Sequence, residues 1–493
     1  MTQKILVWVS KDLIHFCISK FLQERKDLEL YAIIETLDNS KKYFQNQKII
    51  NFKKMWYFND HIKNIENKPD IDYLKKKEIE YGINIWKMAY GERLFLEFNK
   101  YHKFSLDEIL SFFEQELKLF EKILEESKPD YLLIRVPDFH QIQLLYEMCV
   151  AKGIKPLILQ RTRFSLNNWA VNEDPIKLNE PKIIRIQNHN DLKKLLEKFD
   201  TTQQLKKLSN RQFRLKSLIQ KKTLQSILSL VFAKGENNDR ERFLDKGRTK
   251  FKIIRKNISL LFKIRHRENF INNNLAYKLD PIQKYIYFPL HAEPERTILI
   301  GSPFFTNQIE VIKNIAKSIP IDYKLYVKEH PFQKKLNWRS TNFYKQILNL
   351  PNVKLLHPSL NSEKLVKGSN LIIAIAGTAG IQAAIHNKPS IIFSDQIYDE
   401  LPSVYRLQDI EQLPNVIKLM LQKKVDQNDV IKFVNKLLDN SFEFNATKLS
   451  SGHPFQDTLI SNLKINNEDI LKYIEIHKDD FLKLATEHIK KIN

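Results

Sequence analysis

Glycine is scarce in this sequence: only 10 of its 493 residues are glycine. That is about 2%, where an average protein has about 7%, and it excludes collagen-like chains and glycine-rich linkers. The two cysteines, Cys17 and Cys149, are too few for a disulfide framework or a cysteine-based zinc site. Both lie in helix-like, partly apolar stretches, which predicts buried, reduced thiols in a cytosolic setting.

Long hydrophobic runs are also missing. No stretch approaches the roughly 18 uninterrupted apolar residues of a membrane-spanning helix. The first apolar run, Lys4–Val9, is too short for a secretory signal and has no small-residue cleavage site after it. We therefore expect a cytoplasmic protein, and the 43% of hydrophobic residues are enough for more than one core.

Positive charge is plentiful and unevenly distributed. The net charge is +22, and residues 206–268 hold 19 lysines and arginines against 5 acidic residues, a net +14. Basic residues alternate there with Leu, Ile and Phe at helical spacing, which indicates a peripheral surface for the anionic inner face of the cell membrane. The alternative is a solvated helical insertion whose apolar stripe packs on a neighbouring domain. Nucleic acid is not expected as a partner, because no RNA-binding motif or zinc finger accompanies the charge.

Strand-like and helix-like segments alternate on both sides of the basic segment. The predicted strands are 4–9, 28–34, 130–135 and 155–160, then 285–288, 297–300, 323–327, 353–356, 371–375 and 390–393. This rhythm predicts parallel sheets in two doubly wound, Rossmann-like α/β domains. The predicted organisation is an N-terminal domain (1–190), a basic helical insert (191–280), a second α/β domain (281–406) and a C-terminal helical tail (407–493).

The turn Gly377-Thr378-Ala379-Gly380 lies where a strand ends and a helix begins. Without bulky side chains the backbone can approach an anion, and Thr378 adds a hydroxyl donor. This predicts a phosphate site. The alternative is a tight turn that needs small residues only for packing.

The segment Tyr326–Pro331, with the sequence YVKEHP, follows a predicted strand at the end where open α/β sheets bind ligands. Lys328 offers a cation, His330 can donate to a phosphate or ribose oxygen, and Pro331 fixes the turn. Two further His-Pro pairs occur, at 357–358 and 453–454, so only the strand-end position distinguishes the first. A structural histidine is the alternative.

The segment FPLHAEPE, residues 288–295, opens the second α/β domain. It leaves a strand for a polar loop, which places His291 and Glu293 at the cleft between the domains. The alternative is a connecting loop shaped by its two prolines.

Taken together, FPLHAEPE, VKEHP and GTAG followed by KP resemble bacterial capsular and surface-polysaccharide biosynthesis proteins, in matching order over about 285–405. The resemblance implies a GT-B-like fold. It also implies a glycosyltransferase that moves a sugar from a nucleotide-sugar donor to a lipid-linked or polysaccharide acceptor. Two alternatives stay open: a sugar-nucleotide epimerase of the same fold, and a non-catalytic polysaccharide-assembly protein.

The resemblance also implies a donor site. Related sialyl- and Kdo-transferases place a His-Pro pair at the nucleotide phosphate, which favours a CMP-linked donor here, although the nucleotide stays open and no cofactor is required. The residues carried over by position are Lys328, Glu329, His330, Pro331, Gly377, Thr378, Gly380 and Gln382. Gln382 stands where the family often has Glu, and it can hydrogen-bond a sugar but cannot act as an anion.

An acceptor hydroxyl needs a base, which we expect from the other domain. The loop after strand 130–135 offers Asp138 and His140, although Asp138 also suits a helix N-cap. Glu92 and Arg93 are further polar candidates. Asp70-Ile71-Asp72 has the spelling of a metal-binding DxD motif but precedes a helix-like run, so we predict a helix cap there and no required metal.

Overall fold

The structure is a computed structural model and describes residues 2–35, 38–62, 68–96, 101–162, 167–198, 246–247, 249–334, 336, 338–450, 453–454 and 466–492. The first α/β domain contains β1 (Gln3–Val9), α1 (Ile14–Leu22), β2 (Leu28–Ile34), α2 (Asp38–Asn46), β3 (Lys54–Tyr57), α3 (Phe58–His61), α4 (Ile71–Tyr81), α5 (Ile85–Gly91), α6 (Leu106–Ser127), β4 (Tyr131–Arg135), α7 (His140–Ala151), β5 (Lys155–Arg161) and β6 (Asn168–Asn172). Helix α8 (His189–Lys198) follows, and its Leu192 is buried in a cluster with Ile381 and Ile385 of the second domain.

The N-terminal sheet has the strand order β13-β6-β5-β4-β1-β2-β3. Strands β1 to β5 are parallel, with Val7 of β1 level with Ala32 on one side and Leu133 on the other. Helices cover both faces, so the central strands are apolar throughout and their side chains are buried in two separate cores. The four predicted strands are confirmed, whereas the short β3 and the antiparallel strand β6 were not predicted.

After the connecting helix α9 (Lys250–Asn274), the second domain contains β7 (Tyr285–Pro289), α10 (Arg296–Leu299), α11 (Gln308–Ser318), β8 (Lys324–Lys328), α12 (Thr341–Leu348), β9 (Val353–Leu356), α13 (Ser362–Gly368), β10 (Leu371–Ala374), α14 (Ala379–Ile385), β11 (Ser390–Ile392) and β12 (Val404–Arg406). Its sheet is parallel, in the order β12-β11-β10-β7-β8-β9. The chain therefore adds β8 and β9 on one side of β7, and then β10, β11 and β12 on the other side. The predicted GT-B-like fold of two Rossmann-like domains is confirmed.

One predicted strand is wrong: Thr297–Ile300 lies in helix α10 and the turn that follows it. The Ile300 N–H donates to the carbonyl of Arg296 (2.9 Å) and the Leu299 N–H to that of Glu295 (3.1 Å). Three apolar residues in a row, Ile298 to Ile300, fit a buried helix turn as well as a strand, so the pattern alone does not separate the two. The sixth strand of the sheet is instead β12.

The C-terminal segment contains α15 (Leu413–Gln422), α16 (Gln427–Asp439), β13 (Phe442–Glu443), α17 (Asn467–Ile476) and α18 (Lys478–Ile489). It was predicted as helical, and it also contributes a strand, because β13 pairs antiparallel with β6 of the first domain. Phe481 and Leu484 of α18 are fully buried in the core around α1 and β1. The chain thus returns to its first domain, while the predicted boundaries at 190, 280 and 406 stay predictions.

Helix α9 contacts both domains. The Nζ of Lys256 lies 3.9 Å from the ring centre of Tyr101 in the first domain, and Nη1 of Arg267 donates to the Trp338 carbonyl (3.0 Å) in the second. Of the predicted basic segment 206–268, only 246–247 and 249–268 fall within the described residues. Within that described part of the chain, no helix is long and apolar enough to cross a membrane. Cys17 and Cys149 are free and buried, as predicted.

Candidate functional site

Three loops meet at the carboxyl edge of the C-terminal sheet, where the strand order reverses between β7 and β10. Open α/β sheets bind their ligands at this point. The loop after β7 carries His291, whose Nε2 lies 2.8 Å from the Ala376 carbonyl oxygen in the turn after β10. Gly377 has a φ of +88°, and a Cβ there would lie 3.4 Å from Nε2 of His291. A glycine is needed at 377 for this backbone conformation, which any side chain would strain.

Two buried glutamines hold the loop after β7. Gln308 accepts the His291 N–H (2.8 Å) and donates to the His291 carbonyl (3.1 Å). Gln333 accepts the Glu293 N–H (2.9 Å) and donates to the Glu293 carbonyl (3.1 Å). The loop is therefore fixed by side chains from α11 and from the 3-10 turn at 331–334, which makes the site largely preorganised.

The buried guanidinium of Arg339 holds the two acidic residues of the site. Its Nη1 lies 2.7 Å from Oε2 of Glu293 and its Nε donates to Oε2 of Glu329 (3.0 Å), which also accepts the Tyr344 hydroxyl (2.7 Å). Glu293 and Glu329, predicted as ligand-binding residues, thus pair with this cation and tie the loops after β7 and β8 together. Arg339 was not predicted, because it lies in a polar stretch with no motif.

His330 stands at the end of β8, as the sequence predicts, and its ring is a hydrogen-bond donor. Its Nδ1 accepts the N–H of Phe332 (3.2 Å), so the proton of the neutral ring is on Nε2. Burial lowers the pKa of His330 to about 4, helped by the nearby Lys328 and Arg339 cations. The ring is therefore neutral at physiological pH. Pro331 starts the 3-10 turn that positions Phe332.

Lys328 supplies a positive charge beneath this loop. It is the last residue of β8, is only 2% exposed, and its Nζ donates to the Ser362 hydroxyl (2.6 Å). Burial lowers the pKa of Lys328 to about 8, so most of the population still carries the charge at pH 7. A buried cation with few polar partners is stabilised when an anion binds near it.

In the turn after β10, the contacts of Gly380 support the packing interpretation, while the phosphate site stays a prediction. A Cβ at Gly380 would lie 2.5 Å from Cε2 of Tyr398, whose hydroxyl donates to the Gly377 carbonyl (2.7 Å), so Gly380 is required for packing. Thr378 is exposed and makes no capping hydrogen bond with its side chain. Gln382 lies half-buried one turn further along α14.

On the first domain, His140 is a buried residue held between two carboxylates. Its Nδ1 lies 2.7 Å from Glu92 and its Nε2 3.0 Å from Glu116, and the rings of Phe95 and Phe113 pack against it. Burial lowers the pKa of His140, but the two carboxylates outweigh burial and raise the pKa to about 10. The predicted role of His140 as a base stays a prediction, and the ion pairs with Glu92 and Glu116 do not favour it, because they stabilise the protonated ring, which has no lone pair to accept a proton.

The loop between β4 and α7 contacts the second domain. The carbonyl of Pro137 accepts a hydrogen bond from Nε of Arg296 (2.5 Å), three residues beyond Glu293. Asp138 is half-buried in this loop and does not cap α7, whose N-cap position is Phe139. Arg93 lies over the Phe139 ring at 4.9 Å. The catalytic role of Asp138 stays a prediction.

Asp70 is the N-cap of α4 and accepts the N–H of Tyr73 (2.9 Å), which confirms the predicted cap. Among the described residues, no three His, Cys, Asp or Glu side chains come together in a way that would hold a metal ion.

One further carboxylate at the edge of the first sheet was not predicted. Glu35 directly follows β2, accepts the Nε1–H of Trp8 (3.0 Å) and the Nε2–H of Gln141 (2.8 Å), and is half-buried. Its position after a buried strand was the available signal, but this signal applies equally to several other loops.

Comparison with known proteins finds a family model that part of the chain matches. Residues 232–401 match the model of a family described as capsule polysaccharide biosynthesis protein. No curated protein matches the chain.

Two solved structures illustrate the similarity in three dimensions. The UDP-GlcNAc 2-epimerase from Methanocaldococcus jannaschii is 15% identical, over 89% of this chain and 99% of that one, with a TM-score of 0.26. The beta Kdo 2,7 transferase KpsC from Thermosulfurimonas dismutans is 12% identical, over 73% and 89%, with a TM-score of 0.32. Likeness at this level carries no argument about activity.

The matched region contains all three loops at the edge of the C-terminal sheet. Over this region, the chain is similar to the family of capsule polysaccharide biosynthesis proteins.

Proposed function

We propose that the protein is a glycosyltransferase of capsule or cell-surface polysaccharide synthesis. It moves a sugar from a nucleotide-sugar donor to a lipid-linked or polysaccharide acceptor, with the donor on the second domain. The observation that carries this proposal is that His291 contacts the turn at Gly377 and lies close enough to His330 to help lower its pKa, at the reversal point of the C-terminal sheet. The family of this region supports the same reading.

The donor-side groups suit a leaving nucleotide. Negative charge builds on the phosphate oxygen as the bond to the sugar breaks, and preorganised donors at that oxygen are usually the largest catalytic contribution. Neutral His330 offers its Nε2–H and Lys328 offers a fixed positive charge. Because these groups stabilise the departing phosphate, we propose a GT-B-type reaction that requires no metal and no cofactor.

The first test is a thermal-shift screen against CMP-, UDP-, GDP- and dTDP-sugars, with and without EDTA. A ligand that binds the folded state raises the melting temperature by mass action. We expect one nucleotide class to stabilise the protein equally well in EDTA. Loss of the shift on chelation would contradict metal independence.

The second test compares His330→Ala with His357→Ala. Both residues precede proline after a strand of the same sheet, but His357 bonds to Ser359 (2.6 Å) and follows β9, away from the reversal point. We expect His330→Ala to lower the rate of nucleotide release by about 10²–10³-fold, the usual cost of one such donor. Equal activity of both variants would overturn the donor assignment. Isomerised donor formed without acceptor would favour the epimerase.

We also propose that helix α9 docks on the anionic inner face of the cell membrane. Phe251, Ile258 and Phe262 recur on one face and are 73%, 47% and 76% exposed. Arg255 and Arg265 lie on the same exposed face, so apolar side chains and cations point outward together. This combination is typical of helices that lie in a membrane interface.

Vesicle co-sedimentation tests the docking. We expect binding to vesicles that contain phosphatidylglycerol, weakened by salt, and little binding to phosphatidylcholine alone. Changing Phe251 and Phe262 together to Ser should release the protein, whereas Ile321→Ser, at an exposed position outside the helix, should not. Equal binding to both vesicle types would contradict this proposal.

A further inference from the structure

Glu35 lies at the edge of the first domain that meets the second. Its backbone N–H donates to the Val9 carbonyl (2.9 Å), which places it level with the carboxyl end of β1. The loop after β4 ends at this same edge and receives Arg296 from the second domain. Since Arg296 follows the loop of His291 and Glu293, the edge that carries Glu35 meets the side of the second domain that carries the donor loops.

The carboxylate of Glu35 has neutral partners only. Trp8 and Gln141 each donate one hydrogen bond to it, and among the described residues no lysine or arginine forms an ion pair with it. Each carboxylate oxygen has a second lone pair, so capacity to accept a proton remains. Burial raises the pKa of Glu35 to about 7, with Glu116 adding to this, while Gln141, Trp8 and His140 lower it.

The neighbouring carboxylates already form ion pairs with other side chains. Asp12, after β1, pairs with Arg135, and its pKa is lowered despite its burial. Glu92 and Glu116 both contact the protonated His140. Glu35 is therefore the carboxyl in this group that can gain and lose a proton near neutral pH, which is the property of a general base.

We propose that Glu35 is the base that accepts the proton of the acceptor hydroxyl, an inference that rests on the proposed glycosyl transfer. The acceptor oxygen forms its bond to the anomeric carbon as its proton passes to a Glu35 oxygen. The bond between that carbon and the phosphate oxygen breaks, and its electron pair leaves with the nucleotide. Trp8 and Gln141 are positioning residues that orient the carboxylate.

The test uses the full chain, the nucleotide sugar that stabilises it, and membrane extract of the producing cell as acceptor source. Glu35→Gln should lower kcat by about 10²–10⁴-fold, the usual contribution of a general base. Donor-induced thermal stabilisation should be unchanged. Glu29→Gln, the same change at the other end of β2, should keep wild-type activity. Wild-type kcat in Glu35→Gln would overturn the proposal.

A second variant tests the ionisation of Glu35 directly. Gln141→Leu removes a hydrogen bond that favours the charged carboxylate, so it should raise the pKa of Glu35 and move the acid limb of the pH–rate profile upward. An unmoved limb would overturn the proposal even if Glu35→Gln fails to fold. If the wild-type protein binds a donor but transfers no sugar, the proposed function fails first, and the two failures are distinguishable.

Discussion

At the scale of single residues, the most unusual group is the buried His140 with its two carboxylates. Burial of an unpaired charge is far more costly than burial of a matched pair. One imidazolium and two carboxylates leave an excess negative charge when all are ionised. The two carboxylates do not share this excess equally. Burial raises the pKa of Glu116, whereas His140 holds the pKa of Glu92 below its usual range despite burial.

We expect His140→Gln to lower the free energy of unfolding by about 3–5 kcal/mol, the usual cost of removing one partner of a buried pair. The pKa of His140 is raised from its ordinary value of 6.5 to about 10. The difference from wild type should therefore be full below pH 6.5 and fall progressively as the pH rises towards 10. Urea unfolding at several pH values measures it.

Glu116→Gln and Glu92→Gln form the matched control for this cluster. Glu92→Gln should cost more, because it leaves His140 with the carboxylate that is harder to ionise. The reverse order would contradict the charge distribution described above.

The motif residues at the ends of β7, β8 and β10 were predictable, because the local sequence pattern shows where a strand ends. The residues that hold these motif residues in place were not predictable. Arg339 lies 46 residues along the chain from Glu293, and Gln308 and Gln333 act on backbone groups 17 and 40 residues away. No local signature encodes such contacts, so only the folded chain identifies them. Enclosure of His140 by helices α5–α7 escaped prediction for the same reason.

At the scale of elements, the close approach of α5 to α10 joins the two domains. A Cβ at Gly91, the last residue of α5, would lie 2.8 Å from the Leu299 carbonyl oxygen. A cavity of about 160 Å³, lined by Gly91, His140 and Ile300, lies at this contact. The missed helix at 296–299 is thus one side of the interface between domains, where Ile298 and Leu299 are buried without being part of a strand.

We expect Gly91→Ala to push α5 and α10 apart and to lower the rate of sugar transfer while each domain stays folded. Alanine itself is favoured by about 1 kcal/mol over glycine inside a helix, so lost activity would report the clash and not helix propensity. Steady-state kinetics with circular dichroism measure both quantities.

Tyr90→Ala is the control, since Tyr90 is next to Gly91 in α5 and is 65% exposed. Wild-type rates in both variants would mean that the two elements tolerate separation.

At the scale of the whole molecule, the parallel sheets and the two doubly wound domains followed from the alternation of strands and helices. The path of the last 90 or so residues did not follow from it, because amphipathic helices pack on any apolar face. Their destination depends on which faces of the first domain remain uncovered. Helices α17 and α18 occupy the face formed by α1 and β1.

We expect Leu484→Ala to destabilise the first domain by about 2–5 kcal/mol, as for other buried leucines. Leu482→Ala changes a neighbour in the same helix that is 47% exposed, and it should stay within about 0.5 kcal/mol of wild type. Thermal unfolding of the two variants gives the comparison. Equal losses would place α18 outside the cooperative unit.

The return of α17 and α18 has a consequence for how the protein is made. A ribosome releases the first α/β unit several hundred residues before the helices that complete its core. Until residues 467–492 emerge, the side of α1 that packs on α18, where His15 lies beside His488, has no cover. The first domain therefore completes its fold only late in synthesis. Nascent chains stalled before residue 467 should bind preferentially to chaperones that recognise exposed hydrophobic surface.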